Sequence, residues 1–182
     1  WRFISLTDGK QPMFIWLMMI SLRFIQDPLL AGRVVSVGAG FITLIGMYFL
    51  GREVFKSNKI GLISSALYVF FPMSLVYDRM ALYDSLVGAF AIWGLFLIIL
   101  LVRTVRLDVA LILGMVVGGG VLTKTNAFFN IYLLPLSLVL FNWGAKNIKE
   151  RLLKWVGFAA VAVVIAYAFY SILRLSPFFH II

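Results

Sequence analysis

Residues 61–102 read GLISSALYVFFPMSLVY, then DRMALYD, then SLVGAFAIWGLFLIILLV. The two outer stretches, Gly61–Tyr77 and Ser85–Val102, contain no charged side chain. Each approaches the ~20 apolar residues that a membrane-spanning helix needs. The seven residues between them, Asp78–Asp84, carry three charges. Because charge at such a junction is costly unless it faces water or a polar site, this loop is the first candidate for a functional site.

The composition of the whole chain favours a membrane protein. Of its 182 residues 63% are hydrophobic, and the mean hydropathy is +1.06. A soluble domain of this size is only about half apolar. The sequence therefore predicts an all-α, polytopic membrane helical bundle with about six spans and one juxtamembrane helix. The chain has no cysteine, which excludes disulfides and thiol chemistry.

Hydropathy divides the chain into six candidate spans, preceded by a shorter apolar run, Met13–Ile25. The fourth and fifth spans are separated only by Thr-Lys-Thr-Asn at 123–126, which predicts a tight hairpin. The glycines at 118–120 permit close packing of membrane helices, and Pro135 predicts a kink. The six spans are Val34–Leu50, Ile60–Tyr77, Ser85–Val102, Leu107–Leu122, Ala127–Phe141 and Val156–Leu173.

The basic residues are distributed unevenly between the loops. Nine of them fall in alternate loops, which share one side of the membrane, whereas the opposite loops hold only Arg79, Lys124 and Arg174. By the positive-inside bias the nine-cation side is cytoplasmic, so the Asp78–Asp84 loop and Lys124 are extracytoplasmic. This topology explains the net charge of +9 without nucleic acid as a partner. The nine cations are Arg52, Lys56, Lys59, Arg103, Arg106, Lys146, Lys149, Arg151 and Lys154.

The run Met13–Ile25 leaves two topologies open. If it does not cross the membrane, it is a juxtamembrane helix that lies in the interface, with Pro12 near its first turn. If it crosses as a tilted short span, Lys10 is cytoplasmic. We prefer the first topology, because the run is short and contains Arg23. Residues 1–33 then form the end of an outer loop and the juxtamembrane helix, and residues 34–182 form the spans of a single transmembrane domain.

Four side chains on the predicted outer face are candidates for binding or catalysis. Lys10 and Lys124 suit a lipid phosphate, but each also suits an interfacial lysine whose ammonium reaches water. Asp84 is either a carboxylate stabilised by a helix dipole or one that orients an acceptor or a cationic group. Arg79 is interpreted as a partner of Asp84, of Asp78 or of an anionic lipid. The sequence contains no metal-ligand spacing.

Five short motifs cover roughly residues 8 to 126. They are GKQPMFIWL at 9–17, AGRVVS at 31–36, LGREVF at 50–55, DRMALYD at 78–84 and LTK at 122–124. Each motif alone is weak. Together, in this order and spacing, they resemble the segments G-K-x-P-L-F-x-W-L, A-x-R-x-x-S, L-G-R-x-x-F, S/D-R-x-A-L-x-D and L-T-K of family-39-type membrane glycosyltransferases. That family includes protein O-mannosyltransferases and bacterial aminoarabinose transferases.

The resemblance implies a C-type glycosyltransferase core in the cell (inner) membrane, with an extracytoplasmic active site. The donor would be a sugar on a polyprenyl or dolichyl phosphate, and the acceptor a protein, lipid or glycan. Lys10 matches the family lysine that contacts the lipid phosphate, on a juxtamembrane helix. Asp84 matches the second outer-face carboxylate, which positions a substrate and is not the base. Lys124 and Arg79 match recurrent basic positions and are assigned to the lipid phosphate.

Departures from the family pattern limit what the resemblance implies. The catalytic acidic residue of the family lies in a first outer loop, which here would precede Trp1. We therefore expect the chain to be an internal fragment without the base, inactive alone. Gln11 stands where the family often has a proline, and Gly9 where some members have a glutamate. No cofactor is assigned, and a divalent metal stays open only for the full-length enzyme.

Two other functions stay open at the level of sequence. A transporter or flippase would use the outer charges as a gate. Such proteins tend to place polar groups near mid-bilayer and to repeat their topology, and this sequence shows neither feature. A purely structural membrane subunit is the other alternative, and it predicts that Lys10 and Asp84 are dispensable.

Overall fold

The computed structural model describes residues 11–144 and 147–172, and this part of the chain contains helices and no strand. The predicted all-α helical bundle is confirmed. Two 3-10 segments, Thr125–Phe128 and Ser137–Leu140, flank the seventh α-helix. The α-helices in the described ranges are α1 (Met13–Ser21), α2 (Pro28–Phe55), α3 (Asn58–Phe70), α4 (Pro72–Tyr77), α5 (Tyr83–Thr104), α6 (Leu107–Val121), α7 (Phe129–Leu136) and α8 (Ile148–Ser171).

Three of these helices, α2, α5 and α8, are long and apolar enough to cross a membrane. The other predicted spans form shorter helices. The span predicted at Ile60–Tyr77 is divided into α3 and α4 at Phe71, whose backbone is extended (φ −70°, ψ 122°). The division follows from Pro72, because a proline disfavours helical geometry in the residue before it. Around Pro135, α7 ends at Leu136 and the backbone continues as a 3-10 segment, as the proline predicts.

Two helices begin more than five residues earlier than hydropathy predicts. The α2 helix starts at Pro28 rather than Val34, because Asp27 caps it: the Asp27 carboxylate accepts from the backbone N–H groups of Leu29 (2.8 Å) and Leu30 (3.4 Å). The α8 helix starts at Ile148 rather than Val156, so its first turns carry charged side chains. An apolar window detects only the part of a helix that suits hydrocarbon, so it misses the capped start of α2 and the charged first turns of α8.

The bundle is organised around α2, which packs against both α3 and α5. Helices α2 and α5 run parallel, since Ser36 meets Leu82 at one end and Glu53 meets Arg103 at the other. Helix α5 also packs against α6, and α6 against α8. We call the end that contains the starts of α2 and α5 the Asp84 end, and the opposite end the Arg103 end.

Two arginines satisfy helix carbonyls at the Arg103 end. The Arg103 guanidinium donates to the backbone carbonyl of Glu53, to the Glu53 carboxylate (2.9 Å) and to the carbonyl of Val54 (3.3 Å). Arg151 donates to the carbonyl of Arg103 at 3.1 Å. The last carbonyls of a helix lack partners within it, so these contacts stabilise the ends of α2 and α5. They also bring the predicted basic loops to one end, apart from Lys146, which lies outside the described residues.

The position of α1 bears on the two topologies left open by the sequence. The helix has nine residues and is therefore about 13 Å long, well short of a ~30 Å hydrocarbon core. Its first backbone N–H, of Met13, donates to the carbonyl of Leu122 (3.0 Å) at the Asp84 end. The chain that leaves α1 reaches Asp27, the cap of α2, at the same end. Both ends of this segment thus lie at the Asp84 end, as expected if α1 does not cross the membrane, and the juxtamembrane assignment stays a prediction.

Glycines allow the close packing of α6 that the sequence predicts. A Cβ atom on Gly118 would lie 2.6 Å from the Cβ of Phe169, and one on Gly119 would lie 2.8 Å from the ring of Phe90. A Cβ on Gly114 would meet the backbone oxygen of Ala162 at 2.8 Å. Membrane helices gain packing contacts through such small residues, and any side chain here would separate α6 from its neighbours.

We expect Gly114→Ala to lower the free energy of unfolding by about 1–3 kcal/mol, because the new methyl group meets a backbone atom of α8 that cannot rotate away. The matched control is Gly157→Ala on α8, where a Cβ atom meets nothing within 4 Å. The control should leave stability unchanged or raise it by up to ~1 kcal/mol through helix propensity. Denaturant titration of the intact protein in detergent micelles measures both, and equal effects would contradict the packing described.

Candidate functional site

The candidate site is built on an ion pair between Asp84 and Lys124. The Lys124 Nζ lies 2.9 Å from the Asp84 Oδ1, although the two residues are 40 positions apart. Both side chains are 45% exposed, so the pair is open to water and to ligands. The structure thus brings together two of the four residues predicted from the sequence.

The start of α5 presents Asp84 without using its carboxylate as a cap. Leu82, the residue before the first residue of α5, has an extended backbone and provides no side-chain cap. Instead its backbone N–H and carbonyl both meet the hydroxyl of Ser36, at 3.3 Å each. Ala81 fits closely against Gly32, where a Cβ atom would lie 2.8 Å from the Ala81 Cβ. The small residues of α2 therefore fix the loop, and the Asp84 carboxylate stays available for Lys124.

The turn after α6 presents Lys124. The backbone N–H groups of Thr123 and Lys124 both donate to the carbonyl of Gly120 at 2.9 Å. The buried hydroxyl of Thr123 donates to the carbonyl of Gly119 at 3.0 Å. Because the glycines let α6 approach Phe90 of α5, this turn lies beside the start of α5. The LTK motif is thus a turn that ends α6 and aims its lysine at Asp84.

The segment that precedes α1 is bound to the same turn. The side-chain amide of Gln11 donates to the hydroxyl of Thr125 at 2.7 Å, next to the bond from Met13 to Leu122. Gln11, noted in the sequence only because it replaces a proline, therefore has a contact of its own. Lys10, the residue before it, lies outside the described residues.

A small apolar cluster holds α1 against α2 and α5. Phe14 is 4% exposed and its ring centroid lies 4.8 Å from that of Tyr83, the residue before Asp84. Ala39, Leu86 and Ala89 complete the buried part of the cluster. Burial of Phe14 thus fixes α1 beside the ion pair.

The second carboxylate of the loop, Asp78, has a different partner. The hydroxyl of Tyr68 donates to the Asp78 Oδ2 at 2.7 Å. Asp78 lies directly over α2 at Gly40, where a Cβ atom would clash with the same oxygen. The sequence did not single out Tyr68, because a tyrosine within an apolar span has no distinguishing pattern.

Arg79 is not part of the ion pair. Its side chain is exposed and, among the described residues, has no ion-pair or hydrogen-bond partner, so the pairings with Asp84 or Asp78 considered from the sequence are absent. With Asp78 it lines an apolar groove of about 300 Å³ beside α2 and α3. Its assignment to a lipid phosphate stays a prediction.

A second and larger groove, of about 440 Å³, opens beside the ion pair. Asp78 and Asp84 both line it. So does Ser85, which is 5% exposed and whose hydroxyl has no hydrogen-bond partner in the described part of the chain. The remaining lining residues are Thr43, Met47, Tyr68, Phe71, Met73, Ser74, Tyr77, Gly88, Ala91 and Ile92.

The chemistry available at this end is ionic and hydrogen-bonding. The Lys124 ammonium can neutralise an anion, and the two carboxylates can accept bonds from hydroxyl or amine groups. No group of three or more metal-binding side chains occurs within residues 11–144 and 147–172. The Gly9 position, relevant to a metal site in the family, lies outside the described residues.

The family model described as dolichyl-phosphate-mannose-protein mannosyltransferase matches residues 9–170 of the chain. This range includes all five motifs and both members of the ion pair. No curated protein and no solved structure shows significant similarity to the chain.

A double-mutant cycle between Asp84→Asn and Lys124→Met should give a coupling energy of only about 0.2–1 kcal/mol in unfolding, because the pair is half exposed. The matched control is the exposed pair of Glu150 and Lys154 on α8, with nitrogen and oxygen 2.6 Å apart. Denaturant titration of the four variants of each pair supplies the values. A coupling well above about 2 kcal/mol for Asp84 and Lys124 would identify a structural rather than a ligand-binding pair.

Proposed function

The chain belongs to the dolichyl-phosphate-mannose-protein mannosyltransferase family, and on that basis we propose that it transfers a sugar from a polyprenyl- or dolichyl-phosphate donor to an extracytoplasmic acceptor. The observation that carries the proposal is the ion pair of Asp84 and Lys124 at the end of the bundle where Gln11 is bound to Thr125. The family lysine matched by Lys10 immediately precedes Gln11. These contacts support a site that combines the Lys10 segment with Asp84 and Lys124.

The proposed role of the lysines is to bind the lipid phosphate. When the glycosidic bond breaks, negative charge grows on the departing phosphate, and a preorganised cation stabilises that charge. Lys10 is assigned the direct phosphate contact by its match to the family motif. Lys124, held by Asp84 and 45% exposed, supplies a second positive charge. Arg79 is assigned to the phosphate of the same lipid, which it would approach from the other side of the Asp78–Asp84 loop.

The proposed reaction is a single displacement with inversion. The acceptor oxygen or nitrogen forms a bond to the anomeric carbon as the bond from that carbon to the phosphate oxygen breaks. The electron pair of the broken bond stays on the polyprenyl phosphate, and the acceptor proton passes to a carboxylate base. Asp84 is assigned to positioning rather than to the base, because its carboxylate is engaged by Lys124. The resemblance assigns the base to an acidic residue ahead of the Lys10 segment.

The membrane orientation is part of the proposal. Arg103, Arg151 and the other cations of the basic loops that the structure describes lie at the end opposite to Asp84. The positive-inside bias makes that end cytoplasmic, which supports an extracytoplasmic site at the Asp84 end. The family match gives no support to a transporter or flippase.

We expect Lys10→Ala to reduce sugar transfer by roughly 10²–10³-fold, the effect of removing one preorganised charge-stabilising group. The assay uses the full-length enzyme in proteoliposomes, with polyprenyl-phosphate mannose as donor. The control is Lys149→Ala. Lys149 is an exposed residue at the start of α8, at the opposite end of the bundle, so this variant should transfer sugar at the normal rate.

Normal turnover by a correctly inserted Lys10→Ala protein would refute the role of Lys10. Accumulation of sugar inside the vesicles without transfer would favour a transporter instead. If both Lys10 and Asp84 prove dispensable, the chain is a structural subunit.

We expect Asp84→Asn to raise the KM for the acceptor more than it lowers kcat, because a positioning carboxylate binds substrate without taking its proton. Asp84→Glu should recover part of the affinity, since it restores a carboxylate that can reach Lys124. Initial rates at varied acceptor concentration separate the two constants. A loss confined to kcat with a changed pH profile would instead assign Asp84 as the base.

A further inference from the structure

A groove separates α3 and α4 from α5, because α3 and α5 both pack on α2 and make little contact with each other. We infer that this groove, the 440 Å³ groove lined by Asp78 and Asp84, binds the acceptor, and that the acceptor is a lipid whose head group carries hydroxyls or an amine. The inference rests on the proposed function and adds the class of acceptor. The volume falls within the roughly 300–1,000 Å³ of small-molecule sites.

The charged side chains of the groove lie at one end. From Asp84 to Ile92 its lining follows α5 for about two turns, roughly 12 Å at 1.5 Å per residue, away from the Asp84 end. At the far end the lining is Met47, Ala91 and Ile92. The hydroxyls of Thr43 and Ser74, which also line the groove, already donate to backbone carbonyls of Ala39 and Phe71. A ligand that fills it must therefore be amphipathic, with its apolar part directed into the bundle.

The groove also opens sideways. Phe71 and Met73, which line it, are each 56% exposed. In a membrane this face of α3 and α4 contacts lipid chains rather than water. A ligand can enter from the bilayer without leaving it, which favours a lipid over a peptide acceptor.

The polar end selects for a head group that donates hydrogen bonds. The ion pair uses Oδ1 of Asp84 and the Tyr68 hydroxyl uses Oδ2 of Asp78, so each carboxylate keeps a second oxygen that can only accept. A phosphate placed against these free oxygens would be repelled. We therefore assign the donor phosphate to the Lys124 side of the ion pair, which leaves the groove to the remaining substrate, the acceptor.

Ser85 supplies an independent indication of a ligand. Its hydroxyl lines the groove and is buried, yet it lacks a hydrogen-bond partner among the described residues. A buried polar group without a partner is costly, and ligand hydroxyls or amines are the natural partners of such a group.

Gly88 offers a way to close the groove without disturbing the bundle. A Cβ atom on Gly88 meets nothing within 4 Å, as is also true of Gly38 on α2 and Gly157 on α8. Only Gly88 lines the groove among these three. Gly88→Leu should therefore fill the groove, and Gly157→Leu is the matched control in open space on another helix.

The experiment is photo-crosslinking of the intact protein in lipid nanodiscs. Two probes share one alkyl chain with a diazirine and differ in head group, one an ammonium and the other a phosphate. We expect the ammonium probe to label the α5 segment 85–92, and Gly88→Leu to reduce that labelling at least tenfold while Gly157→Leu leaves it unchanged. Asp78→Asn should lower labelling by the ammonium probe several-fold.

Equal labelling of the segment by the phosphate probe would overturn the acceptor assignment in favour of a donor or bulk-lipid site. Displacement of the ammonium probe by a soluble serine-rich peptide would overturn the choice of a lipid acceptor. If Gly88→Leu does not change the labelling, the groove is not the binding site of the probe. Since crosslinking needs no sugar transfer, its outcome is separate from the test of Lys10.

Ser85→Ala distinguishes a ligand-binding hydroxyl from a structural one. Removal of a structural hydroxyl would lower the melting temperature. Removal of a hydroxyl that bonds only to a ligand should leave the melting temperature unchanged or raise it. We expect unchanged or raised stability together with a several-fold loss of labelling by the ammonium probe. Lower stability with unchanged labelling would remove Ser85 from the proposal.

Discussion

The close contact between α2 and its neighbours is the constraint on which the rest of the structure depends. Inside a membrane, helices are not driven together by exclusion of water, so their association relies on packing at short range. Small residues along α2 provide it: Gly32 lies against Ala81, Gly40 against Asp78, and Gly51 against Ser64. The first two contacts belong to the loop that carries the site. The same packing that holds the bundle together thus determines where its carboxylates lie.

The two ends of the bundle use cations in different ways. At the Arg103 end, guanidinium groups donate to helix carbonyls, and the Arg103 side chain is only 24% exposed. At the Asp84 end, a lysine meets a single carboxylate and remains half exposed. The planar guanidinium suits several fixed acceptors, whereas the ammonium is a compact charge on a flexible stem. The arginines are therefore structural, and Lys124 is free to exchange partners.

Much of the architecture could be predicted from the sequence, because hydropathy and basic loops reflect the bilayer directly. From the sequence, Lys124 and Asp84 are expected only to lie on the same side of the membrane. Hydropathy and short motifs give no information about a contact between side chains 40 positions apart. The start of α2 at Pro28 was missed because Asp27 acts through hydrogen bonds that hydropathy ignores. The groove could not be predicted at all. It exists because α3 and α5 share α2 as a partner without meeting, a property of packing rather than of any one segment.

The bond between Gln11 and Thr125 has a consequence for how the protein is made. The two residues are 114 positions apart, so the partner of the α1 segment is synthesised long after that segment has left the ribosome. Chains fold from the N-terminus as they emerge, and contacts this distant close last. The site is therefore completed only once α6 has joined the bundle. A nascent chain that stops short of Lys124 already contains Asp84 but lacks the lysine and the Thr125 hydroxyl that complete its surroundings.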